Sequence, residues 1–218
     1  MANPTEQPRA VRVQGQLVES YPRRAPEADR GRVLRVTVAG EEILHRPLKP
    51  VTEEHYGSAQ LATLIDDMFA TLYVAEGVGL AANQVDVDLR VFIYDCPDDQ
   101  GVRHVGHLCN PVIDDLPPDQ RLLDEDEEGC LSVPGPYKKL ARPHRAVARG
   151  FDMHGNPLVI EGSGFFARCL QHETDHLSGY LYIDRLSKRD RKDALKQMEA
   201  LREEIFARRA AKAEALRG

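Results

Sequence analysis

The sequence predicts an α+β fold in which antiparallel or mixed sheets pack around a central helix that carries an HExxH motif, with a further helix at the C-terminus. Short strand-like segments follow one another between residues 90 and 161 with no helix of crossover length between them, which is typical of antiparallel or mixed pairing. Helical periodicity is found once before these segments and twice after them. With 218 residues and 42% apolar content, the chain suits one ordinary globular domain.

The first predicted helix begins after Ser58, whose hydroxyl is suited to cap it. Its apolar residues recur at the spacing of a single helix face, and they are Leu61, Leu64, Ile65, Met68, Phe69 and Leu72. Gly77 and Gly79 are predicted to end the helix. One apolar stripe is therefore available to pack against the rest of the domain.

The remaining elements are short strands and two more helices. A second helix is predicted from Ser163 to Gly179, and it carries the sequence HETDH. A third begins at Ser187, where Asp190 three residues later resembles a capping box. Its apolar stripe consists of Ala194, Met198, Leu201 and Ile205. Strands are predicted at 90–95 and in parts of 105–113, 144–151 and 157–161.

The N-terminal region has a different composition from the rest. Residues 1–33 are rich in Pro, Arg and Glu and have no sustained periodicity, which predicts a flexible segment. We therefore expect a flexible extension over residues 1–40, one folded domain over residues 41–186 and a basic C-terminal helix over residues 187–218.

Charge is unevenly distributed along the chain. Residues 185–218 hold 11 Lys and Arg and 6 Asp and Glu, a net charge of +5, whereas the whole chain carries −6 and the remainder therefore −11. A basic tail on an acidic body favours a polyanionic partner, while charge pairing along a solvated helix is the alternative. No stretch approaches eighteen consecutive apolar residues, so no membrane partner is expected, and sequence-specific nucleic-acid binding is not expected either.

The cytoplasm is the expected location. The first ten residues lack the apolar stretch of a secretory signal, and the acidic residues among the first 33 disfavour an organellar transit peptide. The four cysteines include no CxxC pair, and they suit free thiols in a reducing compartment better than a disulfide framework.

His172 and His176 lie four residues apart on the second predicted helix, so both imidazoles point from one face and are one turn apart. This spacing suits one shared metal, and Glu173 between them suits the proton transfers of a metal-assisted hydrolysis. A pair of surface histidines is the alternative. Two metalloprotease patterns lack their third ligand, because Tyr182 and Lys196 occupy the positions where His and Glu would be required.

Cys130 is the candidate third ligand. It lies in EEGCLSVPG (127–135), a tight and exposed backbone context, and its thiolate is a soft donor for the same metals. The alternative is an ordinary packed cysteine, and this remains the expectation for Cys96, Cys109 and Cys169.

Three segments together resemble the signature motifs of the peptide deformylases. They are GVGLAANQ (77–84), EGCLS (128–132) and QHETDH (171–176), in the family's order, and the resemblance extends from about residue 43 to residue 190. It implies an α+β hydrolase that removes the formyl group from the N-formylmethionine of newly made polypeptides. It also implies that Cys130, His172 and His176 bind one divalent metal, commonly Fe²⁺, with Zn²⁺, Ni²⁺ or Co²⁺ as alternatives in purified protein.

The resemblance also implies roles for the residues around the metal. Glu173 would act as general base and then as general acid. The side-chain amide of Gln84 and the backbone N–H of Leu131 would donate to the oxyanion. The substrate peptide would pair like an added strand with backbone groups of Val78, Gly79 and Gly129.

Three expectations concern the surroundings of this site. Glu128 is expected to pair with Arg142 or Arg168. The family links its C-terminal helix to ribosome docking, so truncation after Ser187 is expected to weaken ribosome association and leave activity measurable. The remaining alternative to an enzyme is a non-catalytic metal- or ribosome-binding protein, which would need neither Glu173 nor Gln84.

Overall fold

The structure of the protein is a computed structural model that describes residues 10–118 and 121–217. The predicted α+β class is confirmed. The helices of the described residues are α1 (Pro26–Arg30), α2 (Ala59–Ala75), α3 (Gly164–Leu177) and α4 (Lys188–Arg217). The strands are β1 (Ala10–Val13), β2 (Gln16–Val18), β3 (Gly79–Ala81), β4 (Val91–Pro97), β5 (Val102–Ile113), β6 (Leu123–Cys130), β7 (Val133–Pro143), β8 (Arg145–Phe151) and β9 (Pro157–Ser163).

The main sheet is mixed, as the short connections between its strands predict. Its strands run in the order β2-β1-β5-β4-β3, and β5 also pairs with β8, which pairs with β9. Only the β1–β5 pair is parallel among the described strands. The ladder between β5 and β8 shifts register between Cys109 and Val112, which indicates a bend in β5. The strand pairs with β4 along most of its length and with β8 near its C-terminal end. Strands β6 and β7 form a separate two-stranded hairpin.

The N-terminal segment differs from the flexible extension that was predicted for residues 1–40. Residues 1–9 lie outside the described part, but β1 lies within the main sheet between β2 and β5. The side chain of Gln14 accepts the backbone N–H of His107 at 2.8 Å, and Ala25 and Ala28 are buried in the core against α2. The prediction is wrong for residues 10–40 because strands of three and four residues and small buried alanines leave no periodicity to detect.

Helix α2 begins as predicted and ends one residue earlier than its glycines suggest. The hydroxyl of Ser58 accepts the N–H of Leu61 at 3.2 Å, which caps the helix. Its end is formed by Glu76, which has the left-handed φ of 58° that glycine usually adopts. The N–H of Gly77 donates to the carbonyl of Leu72 at 3.2 Å, so Gly77 completes the cap rather than forming it.

Helix α3 packs on the main sheet and carries the HETDH sequence. Two of its own side chains, Phe166 and Leu170, are fully buried in the core. Helix α4 begins at the predicted capping box, in which the hydroxyl of Ser187 accepts the N–H of Asp190 at 3.1 Å. None of the helices in the described ranges is long and apolar enough to cross a membrane.

The first half of α4 belongs to the core rather than to a separable tail. Ala194 is fully buried and Met198 is 6% exposed, and both pack against residues that include Leu44 and Tyr182. The second half runs back along the body, where Lys212 donates to Glu76 at 2.9 Å. A truncation after Ser187 would therefore remove core contacts together with basic charge.

Candidate metal centre

The three predicted metal ligands lie together. His172 and His176 extend from one face of α3, and Cys130 is the last residue of β6. One ligand atom from each of these residues lies within 4.8 Å of the others. The Sγ of Cys130 is 3.1 Å from the Nε2 of His176, which is 3.2 Å from the Nε2 of His172.

This donor set fits a four-coordinate divalent metal. Metal–nitrogen bonds of about 2.0 Å and metal–sulfur bonds of about 2.3 Å place donors roughly 3.3–3.6 Å apart at tetrahedral angles. The separation of 3.2 Å between the two Nε2 atoms is close to this range, and the separation of 3.1 Å between Sγ and Nε2 is a few tenths of an ångström shorter. Two imidazoles and one thiolate suit iron, cobalt, nickel or zinc by softness, and three protein ligands leave one position open.

A buried carboxylate determines how His172 is aimed. Glu128 lies 2.6 Å from the Nδ1 of His172, which leaves Nε2 directed at the ligand cluster. Arg142 donates to both oxygens of Glu128 at 2.7 and 2.6 Å, and Arg168 donates at 3.0 Å. The predicted pairing of Glu128 is thus confirmed with both arginines. The contact between Glu128 and His172 was not predicted, because the two residues lie in separate motifs and nothing in either motif indicates that they meet.

These donors stabilise the ionised form of Glu128. Burial opposes the ionised form, but the hydrogen bonds from Arg142 and His172 outweigh burial and lower the pKa of Glu128 below its ordinary value. Arg142 also donates to Asp175 at 2.9 Å, which joins the network to the last turn of α3. The ligand helix is therefore braced by a buried chain of alternating charges.

Glu173 is buried beside the ligands. It is 4% exposed, and its Oε2 has no hydrogen-bond partner among the described residues. Burial raises the pKa of Glu173 to about 7. A carboxyl group with a pKa near neutrality is able both to accept and to release a proton at physiological pH.

Gln84 presents its donor end to the site. It lies in the 3₁₀ turn Ala82–Val85, and its Oε1 accepts the N–H of Ala81 at 2.9 Å. Its Nε2 therefore points to the other side, 3.2 Å from the Oγ of Ser132 and 3.5 Å from the Sγ of Cys130. Ser132 is an orienting residue that the sequence analysis did not single out, although it lies within the EGCLS motif.

The backbone positions predicted to meet the substrate lie around the same space. Gly129 occupies a register shift between Glu128 and Cys130 in the β6–β7 hairpin, a bulge that turns Cys130 inward. A Cβ on Gly79 would overlap the carboxylate of Glu173, so this glycine makes room for that side chain. The carbonyl of Val78 accepts the N–H of Asp95 at 2.9 Å, which favours the N–H of Val78 as the group offered to a ligand.

One cavity of about 470 Å³ unites these residues. Its lining includes eight of the nine predicted site residues, and His176 lies behind it against Cys130. Tyr137 and Phe165 are 64% and 43% exposed and supply apolar surface to its walls. The lining residues from the predicted set are Val78, Gly79, Gln84, Gly129, Cys130, Leu131, His172 and Glu173.

Helix α4 forms a wall of this cavity, which the sequence did not indicate. Leu201, Ile205 and Arg209 line it from the middle and the second half of the helix. A Cβ on Gly135 would lie 2.8 Å from the Cδ1 of Leu201, so the helix approaches the hairpin closely. Periodicity identified the apolar stripe of α4 but not the surface that the stripe contacts.

The family described as polypeptide deformylase matches residues 33–192. Peptide deformylase 1 of Streptomyces avermitilis is 60% identical over 176 residues, which cover 81% of this chain and 80% of the relative. The peptide deformylase of Mycolicibacterium paratuberculosis is 47% identical over 174 residues, which cover 77% and 88% of the two chains.

Solved structures agree with these matches. A peptide deformylase from Legionella pneumophila has a TM-score of 0.68 at 37% identity, covering 78% of this chain and 96% of that one. The peptide deformylase of Ehrlichia chaffeensis in complex with actinonin has a TM-score of 0.68 at 33% identity, covering 79% and 98%. The family match includes all nine predicted site residues and stops before the second half of α4.

Proposed function

The chain belongs to the polypeptide deformylase family, and from this premise we propose that Cys130, His172 and His176 hold the metal of its active site. The protein is a metal-dependent hydrolase that removes the formyl group from the N-terminal formylmethionine of newly made polypeptides and releases formate. The observation that carries the assignment is the convergence of three ligand atoms within 4.8 Å of one another, two of them from residues that line the cavity.

A divalent metal held by Cys130, His172 and His176 would act as a Lewis acid and would lower the pKa of a water molecule toward neutrality. Glu173 supplies the proton transfers that hydrolysis requires. Its carboxylate accepts the proton of the attacking water and then delivers it to the nitrogen of the methionine as the C–N bond of the formamide breaks. The products are formate and a free amine. The raised pKa of Glu173, which burial causes, suits both steps near neutral pH.

Two donors stabilise the negative charge that develops on the formyl oxygen. We assign this role to the Nε2 of Gln84 and the backbone N–H of Leu131. The bond from the N–H of Ala81 to the Oε1 of Gln84 supports the assignment, because it keeps the amide from turning its oxygen toward the site. Loss of one oxyanion donor lowers kcat by about 100- to 1,000-fold in other enzymes.

The substrate peptide is proposed to lie across the cavity and to pair with backbone groups of Val78, Gly79 and Gly129. The lack of side chains at the two glycines supports this, since it allows a peptide backbone to approach closely. The apolar surface of Tyr137 and Phe165 is suited to the methionine side chain and the residues that follow it.

Formate release from formyl-Met-Ala-Ser tests these assignments. The metal-loaded protein should release formate, and a chelator should stop the reaction. Glu173→Gln should lower kcat by about 100- to 10,000-fold, because the proton acceptor is lost, while metal content stays the same. Glu161→Gln, which removes an exposed carboxylate from β9, serves as the control. Absence of formate release from the metal-loaded wild type would favour the non-catalytic metal-binding alternative.

The metal is proposed to be Fe²⁺. The mixed thiolate and imidazole donor set supports iron but suits Zn²⁺, Ni²⁺ and Co²⁺ as well. Metal analysis of protein purified without oxygen should find iron at one atom per chain, and activity should decay in air as iron is lost. A fully active anaerobic preparation that contains zinc instead would contradict the assignment.

The ribosome is proposed as a partner through α4. Exposed cations on its first turns support this, since they lie beside a core contact that fixes the helix. Replacing three of them by Gln should weaken co-sedimentation with ribosomes, most clearly at low salt, without changing formate release. The three residues are Lys188, Lys192 and Lys196. The charge-matched control replaces exposed cations elsewhere: Lys49, Arg121 and Lys139. Equal sedimentation of both variants would contradict the proposal.

The cytoplasm is the proposed location. The substrate supports this, because formylated chains are newly made polypeptides and the enzyme must meet them where they emerge. The four cysteines are free, which suits a reducing compartment. Activity recovered mainly in an envelope fraction after gentle lysis would contradict this location.

A further inference from the structure

The second half of α4 is attached to the loop that carries the metal ligand from β6. The Nη2 of Arg209 donates to the backbone carbonyl of Leu131 at 3.2 Å. Leu131 and Ser132 form the two-residue turn between β6 and β7, directly after Cys130. The guanidinium of Arg209 therefore contacts the first residue of this turn, which directly follows the thiolate ligand.

Several contacts fix Arg209 at this position. One turn toward the C-terminus, Lys212 bonds to Glu76 at 2.9 Å and lies 4.8 Å from the centre of the Tyr73 ring. Two turns toward the N-terminus, Leu201 packs against Gly135 on β7. The helix segment between these contacts has little freedom to move away from the turn.

Arg209 is poorly explained by stability. Its Nε and Nη1 are buried and have no hydrogen-bond acceptor among the described residues. Arg209 itself is partly buried, and two buried donors without acceptors lower stability relative to an apolar side chain of similar length. A methionine at this position would fill the same space without unpaired donors. Arg209 therefore suits a role other than packing.

We propose that Arg209 is a positioning residue for deformylation, which holds the Leu131 turn so that the N–H of Leu131 faces the cavity. The inference rests on the oxyanion role assigned to that N–H under the proposed function. The carbonyl and the N–H of Leu131 are separated only by the two backbone torsions of that residue, because each peptide unit is planar. A bond that anchors the carbonyl consequently restricts the orientation of the N–H.

The opposite side of Leu131 is confined as well. A Cβ on Gly77 would lie 2.7 Å from the Cδ1 of Leu131, so the loop after α2 contacts this side chain directly. Leu131 is thus held between Gly77 and Arg209. Loss of the Arg209 bond frees one of the two sides, which allows the turn to rotate without unfolding the hairpin.

The test compares Arg209→Met, Arg209→Lys and a control in the full-length, metal-loaded protein. Arg209→Met should lower kcat for formyl-Met-Ala-Ser by roughly 10- to 100-fold, the effect of a misplaced rather than a missing group. KM and the affinity for the product Met-Ala-Ser should change by less than about threefold, because the N–H acts on charge that develops in the transition state. Tm should stay the same or rise, since two buried unpaired donors are removed.

Arg209→Lys keeps one donor and the charge, and it should recover most of the lost kcat. The control is Arg202→Met, which removes a cation from the same helix that is 41% exposed and pairs with Glu199 at 3.0 Å. It should retain wild-type kcat. A chain that ends at Ala207 serves as a second variant, because it retains the buried first half of α4 and should reproduce the loss of kcat.

Three results would overturn the inference: wild-type kcat in Arg209→Met, an equal loss of kcat in Arg202→Met, or a loss of kcat that follows a loss of Tm in Arg209→Met and Arg209→Lys alike. These results are distinguishable from failure of the proposed function, in which the metal-loaded wild type itself releases no formate. Unchanged metal content in Arg209→Met separates misplacement of the N–H from loss of the metal.

Discussion

Replacing Glu128 by Gln tests the buried network that aims His172 at the metal. The substitution keeps the size of the side chain and removes its charge. Arg142 and Arg168 would lose an ionised acceptor, and only Arg142 has a second carboxylate nearby, Asp175 at 2.9 Å. The side-chain amide nitrogen of Gln is itself a hydrogen-bond donor, and it would replace a carboxylate oxygen that now accepts hydrogen bonds.

The expected loss of stability follows from burial. Glu128 and Arg142 have side-chain exposures of 3% and 5%, so solvent screens their interaction weakly. Removal of one partner from a buried pair costs about 3–5 kcal/mol. In a chain of this length that corresponds to a fall in Tm of roughly 6–20 °C.

Metal affinity should fall separately from stability. Loss of the carboxylate that orients a ligating histidine lowers metal affinity by about 10- to 100-fold. Thermal unfolding with a chelator reports the network alone, and the further stabilisation on adding metal reports affinity. Glu125→Gln, on the exposed part of the same strand, should change stability by less than about 0.5 kcal/mol. Glu128→Gln with wild-type Tm and metal content would refute the role of the network.

Three further predictions follow from contacts outside that network. Gly79→Ala should lower kcat at least about tenfold, because the new Cβ displaces the carboxylate of Glu173, and unchanged kcat would show that the carboxylate relocates freely. Burial lowers the pKa of His107 to about 4 in the folded chain, so the unfolded chain binds a proton at His107 at higher pH than the folded chain does. The free energy of unfolding should therefore fall by up to about 3 kcal/mol between pH 6.5 and pH 4. The variant His107→Gln should show a smaller fall over this pH range, and an equal fall in both proteins would contradict the assignment. A chain ending at Ser187 should melt well below one ending at Ala200, because it lacks two buried side chains of α4, of which the larger alone contributes about 2–5 kcal/mol. Equal Tm values for the two chains would disprove a core role for the first half of α4.

Sequence reasoning succeeded where structure depends on near neighbours. The stripe of α2, its Ser58 cap and the Ser187 capping box all involve residues within four positions of one another. The pairing of His172 with His176 has the same basis, because one helical turn separates them. These features were predictable because the geometry of a helix is the same in every protein.

Cys130 was predictable for a different reason. Spacing alone left it as one candidate among four cysteines, and the resemblance of EGCLS to the deformylase motif singled it out. The bulge at Gly129 that turns the thiol inward has no signal in a single sequence, because it depends on how β6 pairs with β7.

The sequence by itself determined the α+β class, the three helices with strong periodicity and the residues suited to bind a metal. The tertiary structure alone decided that residues 10–40 join the main sheet and core, that Glu128 contacts His172, and that Arg209 reaches Leu131 across 78 positions of the chain. The reason is physical. Periodicity records which face of an element is apolar, whereas the partner of that face depends on the packing of all elements together.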